Sequence, residues 1–419
     1  MFPSGDWSID PNLTFMNHGS YGSVPRAVQR AQDEARARME RDPVRFFKFD
    51  LEKLMDGVRA SLAAFFNCRA ADLAPVPNAT IGLATILANI DLKPGDEILI
   101  TDHEYGSLTN ELERVCARTG ARVVKVNIPF PICDANGGSG GVAERFLAGL
   151  SDRTRIGFIS HITSATSLVF PVAAVVDEFN RRGIDIVVDG AHTPGQIPVD
   201  LTGLKATYWV GSGHKWLSAP KGTGFLYVRP DKQAGFRPLS LSSRANKVRP
   251  DRALYLRDFD YMGTDDYSGM LAVPTAISTL GSLLEGGWPA LLRHNHELAL
   301  RGRDVVCGML RMDAPAPDTM VGSMVTIPIP DPDATLLNRP TCYDDALQDE
   351  LFNNHGVVAP VWRFGDANTR VVRMSAQLYN TVEHFERLGH ALATELARER
   401  RDQAPLWRTA SDIRRAIAG

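Results

Sequence analysis

Ile184-Asp-Ile-Val-Val-Asp189-Gly-Ala-His192 is an apolar run that stops at an acid. Its shortness and its Ile/Val content suit a buried strand. Working outward from it, the chain between about residue 70 and residue 285 alternates such runs with helical spacing. Upstream, the turn Lys93-Pro-Gly-Asp96 introduces a strand at Glu97–Thr101. Helical spacing through Leu108, Leu112 and Val115 follows, Gly120 stops it, and Arg122–Val126 is the next strand. Further strands are expected at Arg155–Ser160, Ala206–Val210 and Gly224–Val228, with a helix at Val172–Arg182. Strands separated by helices predict parallel pairing through right-handed crossovers, hence an α/β sheet covered on both faces. Sites in such sheets form at the carboxyl ends of the strands.

On either side of this region the pattern changes. Ser23-Val-Pro25 reads as the start of a charged helix to about Glu40. Leu271–Leu284 and Trp288–Met309 have helical spacing, and an α+β region follows with strands at Met324–Pro328 and Arg370–Met374. Asn136–Gly141 reads as a flexible loop. The expected division is an N-terminal segment (1–22) contributing to the site, a large domain (23–285) and a smaller C-terminal domain (286–419).

Composition narrows the function. Among the 419 residues, 44% are hydrophobic and 23% charged, an ordinary globular balance. The net charge of −3 supplies no overall field for nucleic acid or anionic lipid. Five scattered cysteines with no C-x-x-C pair fit a reducing compartment. Met1–Asp6 lacks the basic-then-apolar layout of a signal peptide, so a soluble, cytoplasmic protein is expected. Ile156–Val176 carries no formal charge, but its His161, Thr163, Ser164 and Pro171 fit a strand, a loop and a helix start better than a membrane span.

Four clusters carry chemistry. Asp189 at a strand end can reach a ring nitrogen, or can simply cap a loop. In Gly211-Ser-Gly-His-Lys215-Trp216 the lysine is a candidate for covalent catalysis, since partial burial lowers its pKa toward the nucleophilic free amine; a solvated surface lysine is the bland alternative. Pro77-Asn-Ala-Thr-Ile-Gly82 opens a helix whose free N–H groups and Thr80 hydroxyl can bind a phosphate, or form a plain cap. Thr101-Asp-His-Glu-Tyr-Gly106 can supply a ring to stack on a planar cofactor, or be a hydrogen-bonded loop.

In this order and on these strand ends, Asn78-Ala-Thr80, His103-Glu-Tyr105, Asp189-Gly-Ala-His192 and Ser212-Gly-His-Lys215-Trp216 resemble the class V aminotransferase group of fold-type-I pyridoxal-phosphate enzymes. Asn17-His-Gly-Ser-Tyr-Gly22, Ser160-His-Ile-Thr-Ser164 and Arg373-Met-Ser-Ala-Gln-Leu-Tyr-Asn380 resemble its isopenicillin N epimerase-like branch, which also holds carbon–sulfur lyases. The resemblance runs over about residues 12 to 395. It implies pyridoxal 5'-phosphate held as a Schiff base on Lys215, which also moves the proton at Cα. It implies Asp189 at the pyridinium nitrogen, His103 stacked on the ring and His192 near the phenolic oxygen. Asn78, Ala79, Thr80, Ser212 and His214 would hold the phosphate, with Ser164 also on the cofactor side. Thr264 would reach the phosphate of a partner subunit, which implies a homodimer. Arg373 would clamp the substrate carboxylate, while Asn17, His18 and Tyr105 line the substrate side. The reaction implied is at Cα of an amino acid or derivative, epimerisation or carbon–sulfur cleavage, with transamination or decarboxylation as alternatives.

Two positions depart from relatives. Asp265 stands where arginine is common, which weakens any inference to the epimerase's tripeptide, and Ala165 stands for a proline. Cys342, in Arg339-Pro-Thr-Cys-Tyr343, lacks the setting of a desulfurase cysteine. Rival readings lack support. Ser212-x-x-Lys215 matches the S-x-x-K of serine acyl enzymes, but a Ser-Asp-Asn element is missing and Lys221-Gly-Thr-Gly224 is out of order. His294 and His296, two apart in a helical stretch, do not share a face for a metal. A regulator without chemistry should have lost Lys215 or Asp189, and both are present.

Overall fold

The computed structural model describes residues 6–133, 138–337 and 339–400. After a short strand β1 (Thr14–Phe15), helices Arg26–Arg41 and Leu51–Phe66 lead into a seven-stranded sheet. Its strands are β2 (Leu73–Val76), β3 (Glu97–Thr101), β4 (Arg122–Val126), β5 (Thr154–Ser160), β6 (Asp185–Gly190), β7 (Tyr208–Ser212) and β8 (Gly224–Val228), in the order β2-β8-β7-β6-β5-β3-β4. Strands β4, β3, β5, β6 and β7 pair in parallel. Helices Gly106–Thr119, Gly138–Ala148 and Val172–Arg182 lie between them in sequence and serve as the crossovers that parallel pairing needs. Between β7 and β8 the chain has no helix, so it turns straight back, and β8 pairs antiparallel with both β7 and β2.

Each strand alternates between two apolar layers. Ile98, Ile100, Phe158, Val187 and Val210 bury one face of the sheet under helices Ala79–Ala88 and Gly106–Thr119. Leu99, Ile159, Val188 and Trp209 bury the other under helices that include Val172–Arg182. Burial on both faces is why these strands read as nearly continuous apolar runs. Gly120 ends its helix in the left-handed region (φ 76°), its N–H bonded to the Cys116 carbonyl.

Strands β9 (Met324–Pro328), β10 (Val357–Val358), β11 (Val361–Phe364) and β12 (Thr369–Ser375) complete the set. β11, β12 and β9 form an antiparallel sheet covered by helices Gly287–Leu310 and Val382–Glu399, with an apolar cluster of its own. β10 pairs in parallel with β1, so the N-terminal segment is tied to this second sheet.

The sequence expectations differ from the structure in four places. β7 lies two residues later than expected, β2 was not anticipated, and the Leu271–Leu284 helix is split at Ala272. Of the expected loop Asn136–Gly141, Asn136 and Gly137 lie outside the described residues, whereas Gly138–Gly141 open a helix. The uncharged stretch Ile156–Val176 is the end of β5, a loop and the start of a helix. No helix among the described residues is long and apolar enough to cross a membrane.

Candidate active site

The carboxyl ends of β5, β6 and β7 bring Ser160, Asp189 and Ser212 to one edge, with Ser160 the register partner of Asp189 and Ser212 two residues beyond its partner Val210. A cavity of about 210 Å³ opens there, and Lys215, His192, Thr80 and Tyr105 also line it. The turn that carries Lys215 is fixed from behind by the N-terminal segment. Gly22, at φ 65°, lies so close that a Cβ there would sit 2.1 Å from the His214 carbonyl oxygen.

Lys215 Nζ lies 3.0 Å from His192 Nε2. On the other side of that ring, the Trp216 indole N–H points at Nδ1 from 3.4 Å. An indole nitrogen can only donate, so the neutral imidazole carries its proton on Nε2. That proton can be given only to a lysine in its free-amine form. Burial, offset by the Asp189 charge and reinforced by Arg373, pulls the Lys215 ammonium down to about 8. Burial, then the Lys215 charge, holds His192 well below its ordinary value. Asp189 is pushed up by burial, while the Ala191 N–H on Oδ1 (2.8 Å) and the Lys215 charge favour its ionised form.

At the opposite end, the Asn78 side chain accepts from the Ile81 N–H (2.9 Å) and caps helix Ala79–Ala88. Asn78 is thus a cap, and what it offers the cavity is the first-turn N–H groups of Ala79 and Thr80, which have no partner within the helix. The Thr80 hydroxyl is 3.1 Å from that of Ser107, a cavity residue the sequence reading missed. Ser107 opens the next helix beside Gly106, the same kind of signal that picked out Thr80. His214 donates from Nδ1 to the Thr223 carbonyl (3.3 Å), and burial first lowers its pKa to about 4.

Arg373, on β12, reaches the rim of this cavity. It donates to the Ser164 carbonyl (2.8 Å) and the Ser20 hydroxyl (2.9 Å), and weakly to Asn17 Oδ1 (3.4 Å). Its Nε has no partner, and no carboxylate bonds it among the described residues. Burial lowers its pKa to about 10. A buried guanidinium held only by neutral oxygens is suited to receive an anion.

Five expected site residues are not in the cavity wall: Asn17 and Arg373, which meet each other beside it, and His103, His18 and Thr264. The His103 ring is fully engaged in the core, Nε2–H donating to the Ile128 carbonyl (2.8 Å) and Nδ1 accepting from Thr166 (2.6 Å), with Phe364 against its face. The ring that faces the cavity from this loop is Tyr105, 51% exposed, with Lys215 Nζ 5.8 Å from its centre. His18 is also buried. Its Nε2–H donates to the Lys215 carbonyl (3.0 Å) and Nδ1 accepts from the Tyr379 hydroxyl (2.7 Å), so it braces the lysine's backbone. Thr264 is exposed, bonded to the Tyr261 hydroxyl (2.8 Å), and lines a separate cavity of about 350 Å³ with Arg36 and Lys221. Besides Ser107, the structure adds Ser20, Tyr21 and Ser160 to the cavity wall.

This donor set fits pyridoxal phosphate. An amine for its aldehyde and a carboxylate for its ring nitrogen share the cavity with the hydroxyls and free helix N–H groups that a phosphate needs. The comparisons agree. The family model "Aminotransferase class-V" matches residues 22–388. Isopenicillin N epimerase of Amycolatopsis lactamdurans is 33% identical, covering 92% of this chain and 96% of its own. A probable chloroplastic L-cysteine desulfhydrase of Arabidopsis thaliana is 27% identical over 91% and 83%. The cystine C–S lyase C-DES, in complex with its product cysteine persulfide, superposes with a TM-score of 0.74 at 21% identity, covering 94% and 99%. With its fold, its strand-end lysine and aspartate, and a family match over most of its length, the chain belongs to the class V aminotransferase family of fold-type-I, pyridoxal-phosphate-dependent enzymes.

Proposed function

We propose that Lys215 holds the cofactor through its amine and that the enzyme acts at Cα of an amino acid, by epimerisation or carbon–sulfur cleavage. The observation that carries this reading is the meeting of Lys215 and Asp189 in one cavity, with an arginine that lacks an acid at its rim. Bound pyridoxal phosphate supplies an electron sink for the charge left at Cα. Asp189 would face its ring nitrogen, His192 its ring oxygen, and Tyr105 its ring face. Thr80, Ser107, Ser212, His214 and the Ala79 and Thr80 N–H groups would hold the phosphate. Arg373 would orient the substrate by its α-carboxylate, and the Lys215 amine, freed when the substrate's own amine replaces it on the cofactor, would take the Cα proton. In epimerisation a proton returns to the other face of Cα; in carbon–sulfur cleavage the β-sulfur departs instead. The isopenicillin N epimerase and cysteine desulfhydrase relatives support these two outcomes. Cys342 is exposed and does not line the cavity, which favours release of sulfur over its transfer to a protein thiol.

A homodimer belongs to the same proposal. The exposed Gly263-Thr-Asp265 turn is turned away from its own Lys215 cavity and suits a partner's phosphate. The separate apolar clusters of the two sheets support a division near residue 285, and the sparse cysteines support a cytoplasmic location. The test is reduction of the purified enzyme with borohydride followed by peptide mapping. The reduced cofactor adduct is expected on Lys215; an adduct on another lysine overturns the assignment.

A further inference from the structure

Glu104 is a buried carboxyl with no task in the reading above. It lies between β3 and helix Gly106–Thr119 and is 9% exposed. Its Oε1 accepts from the Thr101 hydroxyl (2.8 Å) and the Ser160 N–H (3.2 Å), and its Oε2 faces the Ser160 hydroxyl at 2.7 Å. No cation bonds it among the described residues. Ser160 is the end of β5, the register partner of Asp189 on β6, and both line the Lys215 cavity.

We propose that Glu104 is a positioning residue for Asp189, and that its protonation decides whether the Ser160 hydroxyl proton points at Glu104 or into the cavity. This rests on the cofactor reading above. When Glu104 is ionised it can only accept, so the Ser160 O–H is committed to it and Ser160 shows the cavity lone pairs. When Glu104 takes a proton from solvent, its own O–H donates to Ser160 Oγ. The Ser160 hydroxyl is then free to rotate toward the cavity, where Asp189 is the neighbouring acid. The cofactor's carboxylate partner thus gains or loses a nearby donor without any movement of the backbone.

The groups facing Glu104 make this titration accessible. Thr101 from β3 and Ser160 from β5 are neutral, and Asp189 from β6 is a like charge. Asp102 and His103, on Glu104's own loop, are bonded to Asn127 and to Ile128 and Thr166. Lys215 faces Asp189 and lies beyond it. Burial first, offset by the Ser160 and Thr101 hydrogen bonds and reinforced by Asp189, pushes the carboxyl up to about 7. Since the folded value is raised, the stabilisation it gives is complete below the ordinary carboxylate range and is lost as pH rises through about 7.

The experiment compares the holoenzyme with its Glu104→Gln and Ser160→Ala variants. Infrared titration of the protonated-carboxyl band should show a midpoint near 7 in the parent, a higher one in Ser160→Ala, which lacks a hydrogen bond that favours the ionised form, and none in Glu104→Gln. Affinity for pyridoxal phosphate should change several-fold across that midpoint in the parent only. Glu104→Gln should stay at the low-pH value throughout, and its melting temperature should lose the parent's decline between pH 5 and 8. An infrared band that does not titrate near neutrality overturns the proposal. So does a Glu104→Gln variant that keeps the pH step in affinity, or one weakened equally at every pH, as a purely structural residue would be. A cofactor bound away from Lys215 would defeat the functional reading instead, and the infrared band would still report on Glu104.

Discussion

Strand β12 carries two buried arginines three residues apart, and they have opposite surroundings. Arg370 is 1% exposed and bonded by Asp345 (2.6 and 2.8 Å) and Glu399 (2.7 and 2.9 Å). Arg373 is 3% exposed, is hydrogen-bonded only by neutral oxygens and has the Trp362 ring 5.0 Å from its guanidinium carbon. An odd spacing puts them on opposite faces of the strand. One face meets the helix Val382–Glu399, and the other meets the N-terminal segment and the Lys215 cavity. The acids around Arg370 lift its pKa despite its burial, whereas burial lowers that of Arg373. Burial alone therefore does not distinguish scaffold from site. The counter-ion does: with acids the guanidinium is a joint, and without them it is open to an anion.

The sharpest way to break this contrast is Arg370→Met. It leaves Asp345 buried without its cation and Glu399 with Arg339 alone, which Glu350 already shares, and should cost about 3–5 kcal/mol in a urea unfolding experiment. A loss within experimental error would make Arg370 no more of a joint than Arg373. Next in size, Arg373→Lys should weaken binding of α-amino acids by about 2–4 kcal/mol, because lysine cannot make two parallel hydrogen bonds to a carboxylate. Cofactor content should stay near that of the parent, and amines without the carboxylate should bind both forms equally. If the variant still prefers amino acids over such amines as strongly as the parent, another residue holds the carboxylate.

The smallest effect extends the contrast to the loop after β3. His103 has both ring nitrogens satisfied in the core, while Tyr105 has its ring open to the cavity. Tyr105→Leu should loosen the cofactor by about 1 kcal/mol, the scale of an aromatic contact, and Tyr105→Phe should not. Equal cofactor affinity in all three forms, read by spectroscopic titration, would remove Tyr105 from the ring face.

That pair also shows where sequence reading reached its limit. The strand-end clusters around Asp189 and Lys215 were legible because apolar runs and breaks are local signals, and β9 was found to the residue. In Thr101–Gly106 no period sets which way a side chain points, so the sequence does not tell that Tyr105 lines the cavity while His103 is turned into the core. The burial of His18 depends on Tyr379, far along the chain, and nothing near His18 announces it. The antiparallel course of β8 was written only in the absence of a helix between Ser212 and Gly224. Glu104 looked like one more polar residue of a loop, because its surroundings come from β5 and β6.

The tie between the two ends of the chain has a consequence for how the enzyme is made. Residues 14–20 find their partners on residues 356–380: β1 on β10, Met16 on Ser375, and Asn17 and Ser20 on Arg373. On a ribosome adding about 5–20 residues per second, the N-terminal segment waits roughly 20–70 s for them. For the later part of that interval Lys215 and Asp189 already exist, but the N-terminal wall behind the lysine is not yet anchored and Arg373 is not yet made. A chain released early would carry the means to hold a reactive aldehyde without the means to choose what reacts with it. Synthesis therefore completes selectivity last.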